Sequence, residues 1–331
     1  MINKRFGVLD GWRGIAIILV LLAHLFPLGP SNGHLNVASG IAGMAIFFCL
    51  SGFLMTHHLI NRPNVVDFLI RRFFRILPLA WLYMGFVLWL HPVTYDVWLA
   101  HIFLYANYPP KPLISTTDHM WSLCVEMHFY LGIALLAGLL KRNGLLMIPI
   151  LCVLFTLLRV FYGMHHSVIS HFRVDEILVG GILALIFNNQ FINTDISNYL
   201  KTFLSKINLL LILIMFLISC HPAIGWMEYV RPYLAALLVG STLFNLDSGL
   251  KKLLNHRVLG YIATISFALY VLHPLLASTW LGSGDLIEKY AKRPLLLAAV
   301  LIAAHVSTFY YEKRWINFGK YISELISHRT Q

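Results

Sequence analysis

The sequence predicts an all-α fold, a polytopic membrane bundle of about ten transmembrane helices with both termini on the cytoplasmic side. Three observations predict it. Of the 331 residues, 59% are hydrophobic and only 12% charged, with a mean hydropathy of +0.74, a composition that does not stay soluble. Apolar stretches near the ~20 residues that a helix needs to cross a bilayer recur along the whole chain. Lys and Arg crowd into alternate connections, as the positive-inside rule requires.

Taken in order, the expected spans are residues 10–28, 38–60, 74–91, 121–140, 145–162, 172–188, 207–221, 230–246, 260–281 and 293–311. Lys4 and Arg5 precede the first, and Arg62, Arg71, Arg72 and Arg75 separate the second from the third. Lys141 and Arg142 follow the fourth, Lys201 and Lys206 precede the seventh, and Lys251, Lys252 and Arg257 precede the ninth. Lys313 and Arg314 follow the tenth. With the N-terminus inside, 17 of the 25 Lys and Arg residues fall on inner segments, whereas the outer ones hold Lys111, Lys289, Lys292 and Arg293. A single missed span inverts every later loop and destroys this pattern. The net charge of +11 therefore reflects orientation and anionic inner-leaflet lipid, and calls for no nucleic-acid partner. The apolar piece at residues 97–108 is too short to cross, and is expected to lie in the outer interface or re-enter.

The first span is expected to be a retained helix, since it is long and lacks a small-residue cleavage site. Cys49, Cys124, Cys152 and Cys220 are widely spaced in or beside apolar spans, which indicates neither a disulfide framework nor a metal site. No polar domain, repeat or linker interrupts residues 1–331, read as one membrane-embedded domain. Gly40, Gly43, Gly180 and Gly181 permit close helix approach within one chain as well as between two, so oligomeric state is not legible.

Three clusters carry candidate chemistry. In the first, Arg13 and His24 lie eleven residues apart on one helix, about three turns, and so share a face. Ionisable groups inside a bilayer mark functional sites by default, although Arg13 could snorkel and His24 could simply bond a neighbouring helix. In the second, Arg71, Arg72 and Arg75 project over one side of the third helix's first turn, suited to several phosphate groups or to anchoring lipid. In the third, Glu126 sits inside an apolar helix and needs a partner. Depth arithmetic suggests His24. Each lies about 8 Å below the outer face of a ~30 Å core at ~1.5 Å per residue. His273 falls at a similar depth, as a base or a capping histidine before Pro274. Arg173, Asp175 and Glu176 either join this layer or form a structural ion pair at the membrane edge. A His, Glu and Asp layer is the raw material of acid–base catalysis.

The motifs Asp10-Gly11-Trp12-Arg13-Gly14 with His24, Phe47–Leu54, Arg71-Arg72-Phe73-Phe74-Arg75-Ile76-Leu77-Pro78 and Trp121-Ser122-Leu123-Cys124-Val125-Glu126 together resemble the acyltransferase-3 family of membrane proteins. The resemblance continues through Arg173-Val174-Asp175, Ile265–Tyr270, His273-Pro274 and Tyr311-Glu312-Lys313-Arg314, covering nearly the whole chain in order. Trp12 and Met127-His128 depart from the usual pattern.

The resemblance implies transfer of an acyl group, usually acetyl from acetyl-CoA, to a sugar hydroxyl of a surface glycan. Acyl-CoA is then a donor substrate, with no permanently bound cofactor and no metal. It implies the bacterial cytoplasmic membrane and the stand-alone form seen in O-antigen and exopolysaccharide acetyltransferases. Asp10, Ser122, Arg173, Asp175 and His273 become substrate-binding or supporting residues, with His24 and Glu126 catalytic and Arg13, Arg71, Arg72 and Arg75 holding CoA. The sugar-accepting segment is expected between His91 and His119. Two rivals compete. A transporter or flippase of lipid-linked sugar or acyl groups would also place polar residues at mid-membrane, but no paired broken helices or repeat are visible. A non-catalytic scaffold has no need of His24 or the arginine triplet.

Overall fold

The computed structural model describes residues 7–110, 112–191, 194–245 and 249–329. The charges expected at Lys4, Arg5 and Lys111 lie outside them. The described residues form helices without strands. Fifteen α-helices follow in order: α1 Gly7–Leu25, α2 Leu35–Asn61, α3 Val65–Trp89, α4 Tyr95–Ile102, α5 Trp121–Leu140, α6 Arg142–Leu146, α7 Ile148–Phe161 and α8 Asp175–Phe187. The remainder are α9 Thr194–Lys206, α10 Leu209–Ser219, α11 Arg231–Phe244, α12 Gly249–Leu254, α13 Arg257–Ala277, α14 Leu286–Val306 and α15 Lys313–Arg329.

Every expected span contains a helix, but not every helix reaches crossing length. Five stretches are long and apolar enough: α1, α2, Asp118–Leu140, α13 and Ile287–Ile326. A sixth arises if α9 and α10, bent by 87° at their junction, count as one. By contrast α7, α8 and α11 have 14, 13 and 14 residues, about 20 Å at ~1.5 Å each. Short 3₁₀ turns at Ser170–Phe172 and Gly225–Tyr229 stand before α8 and α11. The short apolar piece becomes α4, whose buried His101 reaches Thr117 at 2.9 Å.

α2 is the axis of the bundle, packed between α1 on one side and α8 on the other. The approach to α8 is set by glycine. A methyl group at Gly52 would strike the Ile177 carbonyl, and one at Gly180 would strike the Cys49 carbonyl, so these helices touch backbone to backbone within one chain. α13 flanks the other face of α1. The last span does not stop at residue 311. A π-helical turn at Ser307–Glu312 carries it into α15, which packs on α3 through Phe74, Trp315 and Phe318 and through the Ser323 hydroxyl donated to Asp67. The four cysteines are buried as free thiols.

Candidate active site

Polar side chains gather in two layers, an open chamber at the C-terminal end of α1 and an arginine layer nearer its start. The chamber has a volume of about 610 Å³ and is bordered by α1, α2, α13 and the segment before α5. His24 enters it from the last turn of α1, exposed to the cavity, with Nδ1 2.9 Å from the Val20 carbonyl oxygen. His273 enters from α13 and is 1% exposed. Pro274 supplies no N–H to the Tyr270 carbonyl one turn back, and His273 Nδ1 takes that oxygen at 2.8 Å. The two imidazole centroids stand 5.1 Å apart. His119 continues the row, 5.5 Å from His273, while the Tyr270 hydroxyl lies 2.6 Å from Ser122 Oγ and donates to the His119 carbonyl.

Arg173 closes the chamber from the α8 side. Its guanidinium lies 5.3 Å over the Trp121 ring, and Nε stands 3.3 Å from Glu176. Nη1 is buried without a hydrogen-bond partner, so one donor edge is left over on a residue that borders the cavity. Behind it, Glu176 accepts from Arg231 at 2.8 Å, Arg231 approaches Glu228 at 3.5 Å, and Arg159 pairs with Asp175 at 2.5 Å. Three buried cations thus balance three buried anions, which is what such burial requires. Burial alone would raise the Glu228 carboxyl, but the His166 hydrogen bond and the Arg231 charge hold it below its ordinary value.

The arginine layer forms around Glu126. Its carboxylate accepts from Ser51 Oγ at 2.5 Å and from the Tyr130 hydroxyl. Arg13 and Arg72 feel its charge, and Arg75 lies within electrostatic reach of both. Asp10 acts on Arg13 in the same way. Arg72 Nε is buried and unbonded. Along α1 this layer lies eleven residues below His24, about 16 Å.

Several expectations change here. Glu126 bonds Ser51 and Tyr130, and His24 is level with His273 and His119. The depth arithmetic misled because α1 ends at Leu25, one residue beyond His24, whereas Glu126 lies seven residues beyond His119. Arg71 is turned to Asp67 at 2.5 Å, on the α15 side, while Arg72 and Arg75 stay together with Arg13. Asp175 is spent on Arg159 and does not border the chamber, in keeping with a structural ion pair. Sequence reasoning overlooked His119, which stands two residues before Trp121. It also left Arg159 and Arg231 without partners, since nothing local names Asp175 or Glu176 as theirs.

A family model described as an acyltransferase domain matches residues 6–313. The putative peptidoglycan O-acetyltransferase YrhL of Bacillus subtilis (strain 168) is 27% identical over 325 residues, covering 80% of this chain and 47% of that protein. The peptidoglycan O-acetyltransferase OatA of Listeria monocytogenes is 25% identical over 364 residues, covering 94% and 56%. The O-acetyltransferase OatA of Staphylococcus aureus (strain NCTC 8325 / PS 47) is 26% identical over 313 residues, covering 80% and 49%. The chain spans about half the length of these relatives. No solved structure matches it.

Proposed function

The chain belongs to the acyltransferase-domain family, and we propose that it is a membrane O-acyltransferase moving an acetyl group from cytoplasmic acyl-CoA to a hydroxyl of a surface or lipid-linked polysaccharide. The observation that carries this reading is the stacking of the two layers along α1, with phosphate-binding chemistry below and proton-accepting chemistry above. Relatives named as peptidoglycan O-acetyltransferases support a glycan acceptor. The alternating positive charge supports both ends on the cytoplasmic side.

In this reading Arg72, Arg75 and Arg13 hold the CoA phosphates, and Glu126 with Ser51 and Tyr130 keeps the arginines from repelling one another when the site is empty. The pantetheine arm carries the thioester up to the chamber. His24 Nε2 takes the proton of the sugar hydroxyl as its oxygen attacks the thioester carbonyl carbon. The spare Nη1 edge of Arg173 donates to the carbonyl oxygen as negative charge develops there. Collapse expels CoA thiolate. The chamber's 610 Å³ admits a sugar residue beside the thioester.

The test is transfer of labelled acetyl from acetyl-CoA to glycan acceptors, peptidoglycan fragments and lipid-linked oligosaccharide among them, by full-length protein in nanodiscs. Wild-type protein is expected to transfer label, and His24→Ala to lose at least about 100-fold. Equal transfer by both variants refutes the site.

A further inference from the structure

We propose that His273 is the proton-holding partner of His24, so that two imidazoles, with no carboxylate bonded to either, manage the proton of acyl transfer. The inference rests on the acyl-transfer reading of His24.

His273 is followed directly by Pro274. Proline lacks an N–H, so the carbonyl of Tyr270 loses its usual helical donor. His273 Nδ1 replaces that donor at 2.8 Å, and lies 3.1 Å from the Leu269 carbonyl. A carbonyl oxygen only accepts, so Nδ1 carries the hydrogen and Nε2 carries the lone pair. The same logic applies to His24, whose Nδ1 faces the Val20 carbonyl at 2.9 Å. Two helices thus present two imidazoles locked in one tautomer, each with Nε2 left as a proton acceptor.

The pair is asymmetric. His24 is exposed to the chamber, while His273 stands buried beside it with Nε2 free of any hydrogen bond. Among the described residues no carboxylate makes a hydrogen bond or ion pair with either ring. Asp118 borders the same chamber and acts on His24 through its charge, without a hydrogen bond; the Nδ1 side of each ring is held by backbone carbonyls, and a second imidazole stands 5.1 Å from His24.

The hydroxyl oxygen forms a C–O bond to the acyl carbon while its hydrogen passes to His24 Nε2. The tetrahedral intermediate re-forms its carbonyl and the C–S electron pair leaves on sulfur. The new Nε2–H of His24 is held by the His273 Nε2 lone pair, which spreads the positive charge over two rings until the thiolate takes the proton. Neither ring is consumed. His273 acts through His24 and is therefore a positioning residue.

The test uses full-length protein in nanodiscs with acetyl-CoA and an acceptor that the wild type acetylates. His273→Asn keeps an N–H where Nδ1–H stood and deletes the Nε2 lone pair. The expected result is a kcat lower by about 100-fold with an apparent Michaelis constant for acetyl-CoA within about twofold of wild type. In His273→Gly, added imidazole is expected to restore part of the lost kcat, which a purely structural role would not allow. A His273→Asn kcat within about threefold of wild type, alongside an inactive His24→Ala, overturns the pair and leaves the reading of His24 standing. Wild-type activity in His24→Ala overturns both. Folded His273→Gly that imidazole does not restore also overturns the pair.

Discussion

Arg72 and Arg71 are neighbours in sequence with opposite surroundings, and this makes a decisive comparison. Arg71 Nε is bonded to Asp67 at 2.5 Å, and Asp67 also receives the Ser323 hydroxyl of α15. Arg72 makes no such bond, and its Nε is buried without a partner. Arg72→Gln therefore removes an unsatisfied donor and a charge that repels Arg13 and Arg75. If Arg72 holds a CoA phosphate, the lost charge-assisted hydrogen bond costs about 1.5–3 kcal/mol. At ~1.4 kcal/mol per decade, the apparent Michaelis constant for acetyl-CoA rises about 10-fold to 150-fold. The thermal midpoint of Arg72→Gln is expected at or above that of wild type. Arg71→Gln should do the reverse, lowering the midpoint through the loss of a partly buried pair while shifting the Michaelis constant by less than about threefold. Both variants are measured by thiol release from acetyl-CoA and by thermal unfolding in nanodiscs. A Michaelis constant for Arg72→Gln within about threefold of wild type refutes the phosphate assignment, as does an equal rise in both.

Two further predictions concern the buried ion network. Glu176→Gln leaves Arg173 and Arg231 facing each other without their shared anion, and should destabilise the fold by about 3–5 kcal/mol, read as a large drop in unfolding midpoint; an unchanged midpoint would show that the network contributes nothing. Glu228 has a carboxyl held below its ordinary value of 4.5, so its contribution to stability is complete above that pH and declines as pH falls through the depressed folded value. The midpoint of wild-type protein should therefore fall faster below about pH 4.5 than that of Glu228→Gln; parallel curves would rule this out.

Much of the fold is legible in the chain because the signal is local. Apolar length and flanking charge locate a helix at each expected place, from α1 to α14. α7, α8 and α11 fall a few residues short of the stretches expected at 145–162, 172–188 and 230–246, because the end residues belong to a separate short helix, a 3₁₀ turn or a cap, which hydropathy does not mark. Arg13 and Arg72 show the same contrast within the site. Their presence is readable from spacing, but only packing separates Arg72 from Arg71 by turning one to Asp67. Glu126, a carboxylate inside an apolar helix, finds its partners in a hydroxyl pair, Ser51 on α2 and Tyr130 on its own helix, and not in His24.

The sequence by itself determined that this is a helical membrane protein, the order of its helices, and the chemical identity of the residues inside them. These follow from composition and from periodicity within about 20 residues. Tertiary structure alone decided which polar groups meet. His24 and His273 are 249 positions apart in the chain, and a ring contact of 5.1 Å depends on where α1 ends and how α13 lies against it. Hydrogen bonds and ion pairs act over a few ångströms, so a shift of one helical turn exchanges one partner for another. No count of residues from a notional membrane plane resolves that distance.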